Sequence, residues 1–308
     1  MRVTRSSVHV DIAAGVEAYL SLLAVDLYCR TVYFFKIMCR HIGLTVSVVA
    51  LTMVLGGCGP SQADEAQIEE DLEETEVVLE EEADAVLREM SDFLAAAQQF
   101  SFTTLQTVDE VLETGQEVQL ERSGKYMVQR PNRLSTSFRG SRADMSVFYG
   151  GGTLTYVQET EKVYATAAVP ETLDDMLDFV ADELGIIVPA SDFFYSNPYE
   201  SLMLEGTSGL YVGLEPINDV ECHHLFFSND HVDWQIWVEA GEQPVPRKFL
   251  ITYKHEDTSP QFIARFDDWD FSPNFSNSSF TFTPPSDFEE IQFYQVAQSP
   301  LQESEGSP

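Results

Sequence analysis

Seven side chains of metal-ligating type crowd one short stretch: Asp219, Glu221, Cys222, His223, His224, His231 and Asp233. Thiol, imidazole and carboxylate groups close together can hold a divalent ion or carry out acid–base chemistry. The spacing argues against both. Adjacent residues of an extended strand point to opposite faces, so His223 and His224 cannot share an ion without a bulge. No Cys-x-x-Cys or His-Glu-x-x-His occurs, and His255-Glu256-Asp257-Thr258-Ser259 lacks the second histidine. The alternation of Cys222, His224 and Phe226 against His223, Leu225 and Phe227 instead predicts a strand with one buried and one wetter face. Asp267, Asp268 and Asp270 are the residue type that hydrolyses glycosides in pairs, but they flank Trp269 on what reads as an edge-like strand and are expected in solvent. No Gly-x-Ser-x-Gly elbow is present, and Gly150 to Gly152 lack the lysine and spacing of a phosphate loop, which leaves them as turn residues. The expectation is a protein with no catalytic residue, no metal and no cofactor, and so not an enzyme.

The other residue with chemistry to offer is Cys58. From Met38 the chain reads Met-Cys-Arg-His, then an apolar run from Ile42 to Val54, then Leu55-Gly56-Gly57-Cys58. A basic start, a short apolar segment and small residues before a cut make a secretory signal, and a cysteine directly after the small pair makes it a lipobox. The run is bounded by Lys36 and Arg40 and falls short of the roughly 20 residues a membrane span needs. Cleavage before Cys58 and lipidation of its thiol are expected, and two or more acyl chains suffice for stable anchoring. Residues 1–37 fit no export signal, because Asp11, Glu17 and Asp26 interrupt the apolar stretches; a start at Met38 is expected instead. Gly59 follows the lipidated position. Lipoproteins of the enteric type keep an Asp there when they stay in the inner membrane, so that resemblance implies the periplasmic face of the outer membrane.

Without residues 1–57 the chain has 12 Lys and Arg against 48 Asp and Glu, a formal charge of −36. Nucleic-acid affinity rests on cationic contacts that release counterions, so nucleic acid is excluded as a partner. A basic protein partner would suit this surface. Such acidity also suits salty surroundings, where screening relieves self-repulsion. Of the four cysteines, only Cys222 lies beyond the lipidated one, so the body has no internal disulfide and a thiol expected to be buried and inert.

Residues 58–84 read as the lipidated cysteine and an acidic tether, with twelve Asp or Glu and no Lys or Arg between Gly59 and Asp84. Residues 85–296 read as one domain and 297–308 as a loose tail. The domain opens on a helical stripe of Ala85, Leu87, Met90, Phe93, Leu94 and Ala97. A period of two follows, through Val118 and Leu120, Leu134 and Phe138, Met145, Val147 and Tyr149, and Leu154 and Tyr156. Turn signals at Thr114-Gly115, Ser123-Gly124, Pro131-Asn132, Arg139-Gly140, Gly150 to Gly152 and Glu161-Lys162 cut it into an antiparallel meander. Leu173, Met176, Leu177, Val180 and Leu184 then return to helical spacing before Gly185, followed by the cluster Phe193, Phe194 and Tyr195. Strands resume through residues 210–213, 220–227, 234–239, 249–254 and 262–271. Trp234 and Trp237, three apart, must face opposite sides.

This pattern resembles the periplasmic lipoprotein-carrier superfamily of LolA and LolB, in which Gly124-Lys125-Tyr126-Met127-Val128-Gln129-Arg130-Pro131-Asn132-Arg133-Leu134 looks like the strand pair after the first hairpin. It is similar more closely to a family of uncharacterised predicted periplasmic proteins placed near them. The residues carrying that likeness are Cys222-His223-His224-Leu225, Asp233-Trp234-Gln235-Ile236-Trp237-Val238 and Pro244-Val245-Pro246-Arg247-Lys248. It spans roughly residues 84–293. The resemblance implies an α+β fold, mainly β: a half-open antiparallel β-barrel with helices forming a lid over an apolar cavity. It also implies a hydrophobic ligand, a lipid or acyl chain, with Leu173, Met176, Leu177, Val180, Phe193 and Phe194 at lid and mouth. A lid that completes a dry core is the alternative, which would leave an envelope protein-interaction or stress-sensing module without a ligand cavity.

Overall fold

The computed structural model describes residues 78–112, 114–184, 188, 190–255 and 258–293. Cys58, its signal segment and most of the acidic run therefore lie outside the described residues, as does the tail. The first element is helix α1 (Glu81–Ala96), which starts ahead of the apolar stripe, within the stretch read as tether. Its acidic first turn, Glu81, Glu82 and Asp84, favours a helix start because carboxylates there meet the positive end of the helix dipole. Its buried face is Ala83, Leu87, Met90 and Leu94, the stripe of period 3.6.

Six strands follow, β1 (Gln99–Val111), β2 (Glu117–Gln129), β3 (Arg133–Gly140), β4 (Met145–Gly150), β5 (Thr153–Gln158) and β6 (Val163–Ala168). Then come helix α2 (Leu173–Asp182), a 3-10 turn (Ser191–Phe194) and the short helix α3 (Pro198–Leu202). A second meander runs through β7 (Ser208–Ile217), β8 (Val220–Ser228), β9 (Val232–Glu239), β10 (Pro246–Tyr253) and β11 (Gln261–Asp270). A second 3-10 turn (Asn277–Phe280) leads to β12 (Glu289–Ile291). All form one twelve-stranded sheet in the order β12-β6-β5-β4-β3-β2-β1-β11-β10-β9-β8-β7. Every neighbouring pair is antiparallel except β12 with β6. The end strands β12 and β7 do not meet, so the sheet is the open, helix-lidded half-barrel of a mainly β, α+β fold.

β1 joins the two meanders by pairing with β2 on one side and β11 on the other. β11 is therefore a central strand, which corrects the expectation that Asp267, Asp268 and Asp270 sit on an edge. The alternation could not reveal this, because it reports which face a side chain occupies and not which strand lies beside it. Asp267 is half-buried, while Asp268 and Asp270 are exposed, Asp268 accepting from the Thr103 hydroxyl at 2.9 Å and Asp270 from the Ser272 amide at 2.8 Å.

One face of the sheet carries the helices and the core. Phe100 and Phe102 of β1 lie opposite Val128 and Tyr126 of β2, and Phe266 and Phe262 come from β11. The lid adds Phe193 and Phe194, both fully buried. Phe102 stacks on Tyr126 at 4.7 Å and on Trp269 at 4.3 Å, while Phe193 meets Phe249 edge-on at 5.4 Å. Aromatic pairs at these separations add to area burial, so the middle of the sheet is a packed side-chain interior. Trp234 faces this core and Trp237 the opposite side, as their spacing requires.

Candidate functional site

The lid is fastened by named bonds. Thr172 caps α2 by accepting from the Asp175 amide at 3.2 Å. The Tyr195 hydroxyl donates to Asp178 at 2.8 Å, and the Ser196 amide to Asp174 at 3.0 Å, which ties the 3-10 turn to α2. At the end of β2, Arg130 donates from Nη1 to the Phe194 carbonyl at 2.5 Å and from Nη2 to the Tyr195 carbonyl at 2.9 Å. Arg130 thus holds the aromatic turn down on the sheet. Replacement by alanine leaves two lid carbonyls without donors and is expected to cost about 1.5–3 kcal/mol, the range for hydrogen bonds from a charged group. Hydrogen exchange checks it: amides of residues 193–196 should lose protection more than those of β1. Equal loss in both would mean Arg130 does not act on the lid.

The lid and mouth residues expected from sequence are brought together, but as core. Leu173, Met176, Leu177, Val180, Phe193 and Phe194 are all buried against the sheet. None of them is among the residues that line the cavity beside α2. That space lies where α2 passes the end of the sheet: a cavity of about 740 Å³ lined by Thr166, Ala167 and Ala168 of β6, Phe179 and Leu184 at α2, and Glu290, Ile291, Gln292 and Phe293 at β12. It falls inside the usual size range of small-molecule sites, roughly 300–1,000 Å³. Small residues on β6 leave the room, and the C-terminal segment supplies the far wall. That segment is pinned by Lys162, which bonds Asp287 at 2.7 Å and accepts from the Glu289 amide at 2.9 Å through its carbonyl. Of these residues sequence reasoning singled out only Leu184. Three residues of parallel pairing at β12 carry no periodic signal, and alanines in a strand do not announce a cavity.

The lining is mixed, with Thr166, Glu290 and Gln292 beside apolar side chains. Phe179, Leu184, Ile291 and Phe293 offer hydrocarbon, and the sole ionisable side chain among the lining residues is Glu290.

The histidine and acid cluster separates as its strand spacing predicts. His223 faces the helix side, where Tyr211 Oη lies 2.9 Å from its Nδ1. His224 faces the other way, stacked on Trp237 at 4.1 Å, with Nε2 2.9 Å from Gln235 Oε1 and Nδ1 3.3 Å from Glu215. Cys222 is fully buried, and burial pushes its thiol up to about 11, so it stays protonated and unreactive at neutral pH. Among the described residues no group of three or more His, Cys, Asp or Glu side chains is placed to hold a metal ion, and no helix is long and apolar enough to cross a membrane.

Residues 83–294 match the family model described as "Predicted periplasmic protein (DUF2092)". No curated protein matches the sequence. Among solved structures, the chain is similar to an uncharacterized conserved protein from Thermus thermophilus, at 8% identity and a TM-score of 0.42, covering 68% of this chain and 99% of that one. It is similar to the LolA superfamily protein NE2245 from Nitrosomonas europaea, at 9% identity and a TM-score of 0.33, covering 65% and 97%. The Mycobacterium tuberculosis lipoprotein LppX gives 10% identity and a TM-score of 0.38, covering 63% and 97%.

Proposed function

This chain belongs to the predicted periplasmic protein family DUF2092, and from that premise we propose that it binds a lipid, acyl chain or other hydrophobic ligand without catalysis. The observation that supports this reading is the 740 Å³ cavity beside the lid, walled by Phe179, Leu184, Ile291 and Phe293. Each methylene moved from water into such a site gains about 0.8 kcal/mol, so a long chain is held by length alone. The lipobox at Leu55 to Cys58 supports a lipid anchor that keeps the body at the periplasmic face of the outer membrane.

Filling the cavity tests the reading. Ala167→Trp places an indole on the β6 side and should weaken binding of a fluorescent long-chain fatty acid by the exported chain at least about tenfold, a loss of roughly 1.4 kcal/mol. The urea midpoint should stay near that of the wild type. Unchanged affinity in a folded variant would move the ligand elsewhere.

A second reading is a protein-interaction module, favoured by the edge strand β7, which is paired at Gly209 with Val78 and Glu80 but beyond it carries Leu210, Val212 and Leu214 at 46%, 51% and 56% exposed. Open strand edges with apolar side chains are places where another chain can pair, and the acidic surface would select a basic one.

A further inference from the structure

Arg122 stands on the helix-covered face of β2, opposite Gln106 of β1 and Gly140 of β3. Its Nε donates to Gln106 Oε1 at 2.6 Å, and that amide is itself set by Nε2 donating to the Tyr126 hydroxyl at 2.6 Å and the Thr104 hydroxyl at 3.3 Å. Gln106 is buried and Arg122 half-buried. A guanidinium carries five N–H donors, and here only Nε is used. Among the described residues the two terminal nitrogens have no acceptor, and no carboxylate stands within ion-pair distance. Arg88, Arg142, Lys162, Arg247 and Lys254 each hold a carboxylate at 2.6–2.8 Å, whereas Arg122, like Arg130, Arg133 and Arg265, is in no ion pair among the described residues. Burial without a counter-charge also lowers its pKa, the mark of a site short of negative charge.

The surroundings of that charge are apolar. The Phe138 ring lies beneath the guanidinium at 4.7 Å, and Val108 and Leu120, paired across β1 and β2, are half-buried next to it. Gly140 leaves the β3 side of Arg122 clear: a Cβ there would sit 3.0 Å from the Arg122 Cβ. Along the same face Phe138, Met145 and Val147 lead toward β6 and the cavity. Arg122 lies four strand spacings from β6, about 19 Å across the sheet, and six residues along the strand from Val128, the β2 residue level with Ala167, which makes the separation about 28 Å. We infer that Arg122 receives the anionic head of an amphiphile whose apolar chain lies along this face toward the cavity. This rests on the reading that the protein binds a hydrophobic ligand, and adds that the ligand carries a single-headed negative charge, a carboxylate or a phosphate.

The test compares hexadecanoate with its uncharged methyl ester at pH 8, using the full chain exported and transferred to amphipol. Wild-type protein should bind the carboxylate about tenfold or more tightly than the ester, the scale of a charge-assisted hydrogen bond. Arg122→Gln should abolish that preference and leave ester affinity unchanged; Arg122→Lys, which keeps the charge without the fork, should retain part of it. Hexadecyl phosphate in place of the carboxylate separates the two head chemistries. Equal wild-type affinities for acid and ester, a comparison that needs no variant, would overturn the role of Arg122 while leaving the hydrophobic site standing. Binding of neither would overturn both. Displacement of hexadecanoate by millimolar acetate or inorganic phosphate would mean a site for free anions and would also overturn the inference.

Discussion

Phe102→Ala should lower the stability of the body by about 3–5 kcal/mol, a large part of the roughly 5–15 kcal/mol that holds a typical domain folded. The residue is 2% exposed and sits where the two halves of the sheet and the lid converge. Its ring stacks on Tyr126 and Trp269 and lies 5.7 Å from Phe266 and 6.1 Å from Phe194 of the lid. Those neighbours belong to rigid strands and a bonded turn, so they cannot collapse into the space left behind, and a cavity term adds to the lost transfer energy. Urea unfolding checks it, as a lower midpoint at an unchanged slope. Phe148→Ala, which removes a half-buried ring stacked on Phe282 across the opposite face, should cost clearly less. A loss below about 1 kcal/mol at Phe102 would mean the middle of the sheet is not close-packed, and that ligand space extends through it.

Cys58→Ser should abolish acylation of the protein altogether. A thioether to diacylglycerol needs the thiol, and no other cysteine of the sequence directly follows a small-residue pair. Cells fed labelled palmitate should mark the wild-type chain and leave the variant blank; label that persists in Cys58→Ser would remove the lipobox from the account. Because stable attachment takes two acyl chains, the proposed anchor should be lost in the variant as a whole rather than by degrees.

Much of the architecture was legible because burial imposes a period. Leu87, Met90 and Leu94 repeat at helical spacing, and Leu225 and Phe227 alternate with exposed-side partners at strand spacing, so both reveal their faces. The same rule separates His223 from His224 and Trp234 from Trp237. Pairing across the sheet was not legible: nothing local in Gln261 to Asp270 says that β1, more than 150 residues earlier, lies beside it. The cavity escaped for a related reason. Its floor is small residues at Ala167 and Ala168, and its wall is a three-residue strand returning from the C-terminal end. Sequence reasoning placed ligand contacts on Leu173, Met176, Leu177 and Val180, because a lid must turn apolar residues inward. The spacing does not distinguish these buried residues from Phe179, which on the flank of the same helix lines the cavity beside α2. Arg122 and Arg130 are equally silent in the sequence, since their roles depend on which groups stand opposite.

The most direct measurement is native mass spectrometry of the exported chain, followed by lipid extraction, with Ala167→Trp run beside it. Extra noncovalent mass that resolves into acyl lipid is expected on the wild type and should be diminished in the variant. Bare wild-type protein that takes up no added fatty acid would contradict it, and would leave a partner-binding module with an exposed β7 edge as the better account.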